Sequence, residues 1–200
     1  NHAYSVEQIK TLQSALFGMQ RADIELPLVH MASSGAIALF PESHFDMVRP
    51  GLAVYGLSSH LKGLKPALSW FTKIVQVKRV AQGQKVGYGL TYETRRISTL
   101  AVLPVGYAEG YSRALSNVSE VLLDGKRVRV IGRICMGQII IDVTGVNARV
   151  GDEVVLIGAS GSDTITVADL AVWAKTNPHE IVARLSPSLP RHFYRGSDVG

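Results

Sequence analysis

What most constrains this 200-residue chain is a change of pattern near residue 64. Before it, helix-like and strand-like stretches alternate. From Val6 to Gln20, apolar residues fall at 6, 9, 12, 16 and 19, the three-and-four spacing of one stripe on an amphipathic helix, with Ser5 placed to cap its start. Pro27 then opens a short apolar strand over 28–31, followed by the small-residue loop 32–36. A second strand over 45–48 delivers Arg49 into the turn Arg49-Pro50-Gly51. This order predicts an α/β unit with parallel strands. After Leu64-Lys65-Pro66, strand candidates follow one another over 68–81, 99–105, 121–123, 127–135, 138–143 and 153–157. Turn signals separate them, Asp124-Gly125 between two apolar runs being the sharpest hairpin signal. Thr166 and Asp169 frame a capping box for one helix running to about Lys175, and Asn177-Pro178 opens another through Arg184. The second part therefore reads as a mostly antiparallel β domain.

With 46% apolar and 18% charged residues, the chain can bury a sizeable core, which excludes global disorder. The net charge of +5 is mild, and basic residues occur in pairs, not in a run, so a nucleic-acid-binding tail is absent. A single cysteine, Cys135, excludes an internal disulfide and a Cys-rich zinc site. The six histidines show no HxxxH or HExxH spacing, and no metal is expected. No stretch approaches the ~20 apolar residues that span a bilayer, and the polar start lacks a signal-peptide pattern. The expectation is a soluble, cytoplasmic protein; a first residue that is not Met, leading almost at once into a helix, suggests part of a longer chain.

Several residues could carry chemistry. Ser33-Ser34-Gly35 after a strand offers hydroxyls and N–H groups to an anion, and Gly51 and Leu52 offer two more N–H donors. Each taken alone is also an ordinary turn. Arg49 ends an apolar strand, where either a structural salt bridge or a ligand contact would satisfy it. Val86-Gly87-Tyr88-Gly89-Leu90-Thr91-Tyr92 sets a tyrosine between two glycines, and Gly106-Tyr107 within residues 104–111 repeats the device. Gly-flanked tyrosines are more often packed strand ends than catalysts. Cys135-Met136 also fits a buried strand thiol beside a core methionine.

Taken together and in order, these pieces resemble the alanine racemases, enzymes that use pyridoxal 5′-phosphate (PLP). The resemblance is carried by Val48-Arg49-Pro50-Gly51-Leu52-Ala53-Val54-Tyr55-Gly56, by residues 86–92 and 104–111, and by Gly132-Arg133-Ile134-Cys135-Met136. Residues 30–36 are similar to the family's serine-bearing phosphate loop and 185–191 to its closing segment. The fold implied is the last portion of a (β/α)8 barrel, residues 1–64, followed by a mostly antiparallel β-rich C-terminal domain, residues 65–200.

By that resemblance Ser34 and the N–H groups of Gly51 and Leu52 bind the cofactor phosphate, and Arg49 faces the pyridine nitrogen. A guanidinium does not surrender a proton, so the ring nitrogen stays largely unprotonated. Tyr88 is the base at one face of the substrate, a role that needs nearby positive charge because a free phenol titrates near 10. Met136 holds the substrate carboxylate through its N–H, and Tyr107 lines the entrance. The resemblance further implies a homodimer in which one subunit's β domain completes the other's site, with a small amino acid as substrate and neither nucleic acid nor membrane as partner. None of the lysines present stands in the motif of the family's PLP-bearing lysine, which implies that this segment alone is inactive.

Three residues depart from the family pattern: Ser33 for asparagine, Gly137 for aspartate, and Pro187 for a phosphate-contacting tyrosine. The implied activity is interconversion of L- and D-alanine by two bases, supplying D-alanine for peptidoglycan. The last two departures leave a serine or broad-specificity racemase as an alternative. A non-catalytic β-barrel module binding RNA or another anion is the alternative of a different class, although the aromatics are not interleaved with a basic stripe. A truncated structural domain is a third.

Overall fold

The computed structural model describes residues 2–58 and 60–194. They form two compact units, Asn1–Ala67 and Leu68–Gly200.

The first unit begins with α1 (His2–Arg21). It starts upstream of Ser5, so Ser5 lies in the first turn and not at the cap; the His2 ring, 4.9 Å from that of Phe40, belongs to the helix. Of the apolar stripe only Ile9 is fully buried. Strand β1 (His30–Ser33) comes two residues later than its apolar run suggests and leads directly into α2 (Ser34–Leu39). The expected loop over 32–36 is therefore absent: its small residues end a strand and start a helix, because Ala36-Ile37-Ala38-Leu39 favours helix once the turn has begun. Strand β2 (Met47–Arg49) pairs parallel with β1, as the alternation predicts, and α3 (Gly51–Val54) follows one residue later.

In the second unit every strand pairing is antiparallel among the described residues. The apolar run 68–81 is not one strand but two, β3 (Trp70–Lys73) and β4 (Gln76–Val80). Between them the chain changes partners. The Ile74 N–H donates to the Asp152 carbonyl, and the next N–H, of Val75, donates to the Val102 carbonyl. Next come β5 (Lys85–Val86), β6 (Tyr92–Glu93), β7 (Ser98–Leu103), β8 (Glu120–Leu123), β9 (Lys126–Ile131), β10 (Ile139–Asp142), β11 (Glu153–Ser160) and β12 (Asp163–Ile165). The main sheet runs β12-β11-β8-β9-β10-β7-β4, with β3 also paired to β11. At Gly158, φ is +128°, and beyond it β11 pairs only with β12.

Asp124-Gly125 forms the predicted hairpin turn between β8 and β9, with φ of +50° and +70°, the pair of positive values that suits the twist of the flanking strands. Thr166 and Asp169 form the capping box of α4 (Val167–Trp173), and Asn177 caps α5 (Pro178–Ala183). Val121, Leu122, Val130, Ile141, Val154 and Leu156 are buried and belong to the core. Strand β9 stops at Ile131 instead of reaching Cys135, because Gly132 at φ +72° ends the extended run. Residues 132–138 are thereby released from the sheet to form a loop. A small satellite core of Val86, Leu100 and Ile131 anchors the short β5–β6 hairpin to the main sheet.

Candidate active site

In the first unit, two strand ends create one cluster of donors. Parallel β1 and β2 each feed a helix at their C-terminal ends, which sets Ser34 beside Gly51: a Cβ added to Gly51 would lie 3.8 Å from Ser34 Oγ. The Ala53 N–H donates to that oxygen at 3.3 Å. Neither helix start carries a side-chain cap, so the N–H groups of Gly51 and Leu52 remain first-turn donors outside the helical ladder. A hydroxyl and two backbone N–H groups, with no carboxylate bonded to them among the described residues, make a cradle suited to an anion. Arg49 is exposed, and its Nη2 donates to the Met31 carbonyl at 3.1 Å. No carboxylate of the described residues forms an ion pair with it. Of the two readings open for Arg49, the salt bridge is not found.

In the second unit, Tyr88, Tyr107 and Met136 converge on a single open pocket of about 970 Å³. Tyr88 sits in the turn between β5 and β6, flanked by Gly87 at φ +73° and Gly89 at φ +70°, and 74% of it is exposed. A β-carbon on Gly87 would approach the Arg133 nitrogen to 3.0 Å, so the Tyr88 turn packs backbone to backbone against residues 132–133. Tyr107 and Met136 are 48% and 64% exposed. The Tyr107 N–H donates to the Cys135 carbonyl at 3.1 Å, and the Ala108 N–H to the Met136 carbonyl at 2.9 Å. Among the described residues the Met136 N–H meets no acceptor, so it remains available to a ligand carboxylate. Gly106 is what allows this approach, since a Cβ there would stand 2.2 Å from the Cys135 carbonyl oxygen.

Arg113, Arg133 and Arg184 also line the pocket, and no Asp or Glu does. Arg184 is paired with Glu180 at 2.7 Å; Arg113 and Arg133 make no ion pair among the described residues. The Arg133 guanidinium runs along Gly89, whose added Cβ would lie 3.2 Å from Nε. The pocket thus carries positive potential, which suits a carboxylate-bearing ligand. Gly137 faces open space, with nothing within 4 Å of where a Cβ would stand. The closing segment packs on the Tyr107 loop: the Ser186 N–H donates to the Glu109 carbonyl at 3.1 Å. Pro187 is exposed, and the Ser188 hydroxyl is engaged by that of Ser186 at 2.8 Å.

The sequence marks Arg133 only as part of a motif and gives Arg113, Ser116 and Asn117 no distinction. The one available signal is Ser116-Asn117, a turn-forming pair placed just before a strand. The predicted site residues fall into two clusters, Ser34, Arg49, Gly51 and Leu52 in the first unit and Tyr88, Tyr107 and Met136 in the second.

Parallel strands feeding helices that present anion donors, followed along the chain by an antiparallel β domain, are consistent with the partial barrel and C-terminal β domain that the resemblance implies. The family model described as alanine racemase, C-terminal domain, matches residues 67–193, and the alanine racemase N-terminal domain matches residues 1–59. An alanine racemase of Halothermothrix orenii is 44% identical over 197 residues, covering 96% of this chain and 52% of that protein. Among solved structures, alanine racemase from Bacillus anthracis with bound L-Ala-P superposes with a TM-score of 0.91 at 34% identity, over 98% of this chain and 52% of that one. Alanine racemase from Bartonella henselae with covalently bound pyridoxal phosphate gives 0.86 at 33% identity, over 97% and 53%. The chain belongs to the alanine racemase family, and it spans about half the length of the curated relatives it matches.

Proposed function

We infer that this chain forms the C-terminal half of a PLP-dependent racemase that interconverts L- and D-alanine, supplying D-alanine for peptidoglycan. Residues 1–64 are the end of the cofactor-binding barrel and residues 65–200 the β domain. The observation that carries the reading is the convergence of Tyr88, Tyr107 and Met136 on one positively charged pocket, in a member of this family. Support for the cofactor comes from the first unit, where a hydroxyl and uncapped N–H groups gather at two strand ends with no acidic group among them.

PLP, when bound, supplies an electron-withdrawing ring that makes the α-hydrogen of an amino acid acidic. Ser34 and the N–H groups of Gly51 and Leu52 would hold its phosphate. Arg49 would stand at the ring nitrogen, where its guanidinium is a poor proton donor. The Tyr88 phenolic oxygen takes or returns the α-proton at one face of the substrate. The second base is the family's PLP-bearing lysine, for which no motif occurs in this chain. Met136 fixes the substrate carboxylate through its N–H, and Tyr107 narrows the entrance. The enzyme is a cytoplasmic homodimer in which Tyr88, Tyr107 and Met136 serve the cofactor cradle of the partner subunit. Among the described residues, no helix is long and apolar enough to cross a membrane.

A serine or broad-specificity racemase is the second reading. It is kept open by Gly137, which lines the pocket without the carboxylate the resemblance implies there, and by Pro187, which lacks the implied hydroxyl. The test is chiral analysis of L-alanine and L-serine incubated with the full-length holoenzyme. D-alanine formed faster than D-serine supports the first reading; the reverse order supports the second; neither product contradicts both.

A further inference from the structure

We propose that Asn117, seconded by Ser116, is a positioning residue for racemisation: its side-chain amide ties the turn that carries Tyr88 to the loop that carries Arg133 and Met136. The proposal rests on the racemase reading above. Tyr88 and Met136 are largely exposed and lie outside regular strands, so packing of their own side chains does not fix them. Something else must hold the two loops in register.

An asparagine amide has one acceptor and one donor end, and here each end serves a different loop. Asn117 Oδ1 accepts the Gly132 N–H at 2.6 Å, at the point where β9 ends and the pocket loop begins. Asn117 Nδ2 donates to Thr91 Oγ1 at 3.1 Å, three residues after Tyr88. Its neighbour adds a third tie, since Ser116 Oγ accepts the Ile134 N–H at 3.0 Å and donates to the Arg113 carbonyl at 2.6 Å. Asn117 reaches both loops only because its backbone is left-handed, with φ at +64°, a conformation that asparagine tolerates better than most residues. Backbone contact between the loops supplements these ties: a Cβ on Gly132 would lie 3.0 Å from the Val86 carbonyl. The tie therefore sets the spacing between the turn of the proton-transferring Tyr88, the Arg133 loop, and the Met136 N–H that receives the carboxylate, three groups on one pocket.

The test uses the full-length holoenzyme. Asn117→Gly keeps the left-handed backbone at no steric cost while removing both hydrogen bonds. Thr91→Val removes only the Nδ2 tie. Expected is a fall in kcat of roughly 10- to 100-fold for Asn117→Gly, in line with the cost of misplacing a reacting group by about 1 Å. KM should rise by a smaller factor, because the Met136 N–H moves with the loop. The α-deuterium isotope effect should rise for the enantiomer whose proton Tyr88 handles and not for the other, a signature that general loosening of the fold would not produce. Thr91→Val should show a smaller loss, and the double variant no more than Asn117→Gly alone, because both act through one tie. Wild-type kcat in Asn117→Gly, or a loss with both isotope effects unchanged, overturns the proposal. A wild type that does not interconvert alanine overturns the racemase reading instead. Amide exchange at Gly132 then decides the tie: lost protection in Asn117→Gly upholds it, and unchanged protection overturns it.

Discussion

Two glycines at the pocket set opposite limits on substitution. At Gly106 a Cβ would stand 2.2 Å from the Cys135 carbonyl oxygen and 2.4 Å from that of Met136, and neither backbone can yield without moving the pocket loop. Gly106→Ala should therefore cost about 1–3 kcal/mol, read as a lower midpoint in denaturant, and should weaken substrate binding as Met136 shifts. Gly137 has nothing within 4 Å of an added Cβ and no left-handed φ. Gly137→Asp should leave stability within about 0.5 kcal/mol of wild type. It should nevertheless raise the KM for alanine, because a carboxylate enters a pocket whose charged lining residues are all arginines. At this scale the adjoining glycines draw notice to Tyr88 and Tyr107, and both line the pocket, but the roles given to them come from the family resemblance alone. Arg133 and Asn117 are not legible in the sequence, since what distinguishes them is which distant loop their side chains reach.

At the scale of elements, most signals with a local cause hold, Ser5 being the exception because α1 begins upstream of it. Asp124-Gly125, the Thr166–Asp169 capping box and Asn177-Pro178 each act within a few residues, and each appears where its chemistry places it. Other misreadings arise where a distant partner decides. The run 68–81 stays apolar through Ile74, yet the chain changes from β11 to β7 as its neighbour there, and only tertiary pairing reveals the break. Likewise the apolar pattern extends β9 to Cys135, although the positive φ of Gly132 turns that stretch into the wall of the pocket. Departures from regular pattern at functional sites are expected.

One buried residue links an element to pH. Tyr111, with no exposed surface, meets Trp70 edge-on at 5.8 Å and donates to Ser119 Oγ at 3.1 Å. Burial pushes its phenol well above the ordinary tyrosine range, the hydrogen bond with Ser119 opposing only part of that rise. In the unfolded chain the phenol ionises near about pH 10, while in the fold it keeps its proton. The unfolded state then binds fewer protons, so stability falls as pH rises past that point. Tyr111→Phe should cost about 1 kcal/mol at neutral pH through the lost hydrogen bond. Above about pH 10 its stability should decline less steeply than that of wild type, as urea titrations across the alkaline range would show.

For the whole molecule, the change from parallel strand–helix units to an antiparallel sheet is legible because it follows from connection length and turn chemistry. The assembly is not, because the donors of Ser34 and Gly51 and the phenol of Tyr88 belong to different units and local pattern does not say which copies meet. The proposed shared site makes a prediction about mixed subunits. Full-length protein with Tyr88→Phe, and full-length protein with Ser34→Ala and Arg49→Ala together, should each be nearly inactive. Refolded together in equal amounts, they should recover roughly a quarter of wild-type activity, since half the dimers are mixed and each mixed dimer holds one intact site. No recovery would mean that each subunit completes its own site.

Proton transfer at the α-carbon of alanine is the central claim, and exchange with solvent tests it most directly. L-alanine incubated in deuterium oxide with the PLP-loaded full-length enzyme should yield D-alanine carrying deuterium at the α-carbon. The Tyr88→Phe enzyme, equally loaded with PLP, should lose racemisation by about 10²- to 10⁴-fold, the usual contribution of a positioned proton-transfer group. A wild-type enzyme that leaves the α-hydrogen of alanine in place, or a Tyr88→Phe enzyme that racemises at the wild-type rate, would contradict the account.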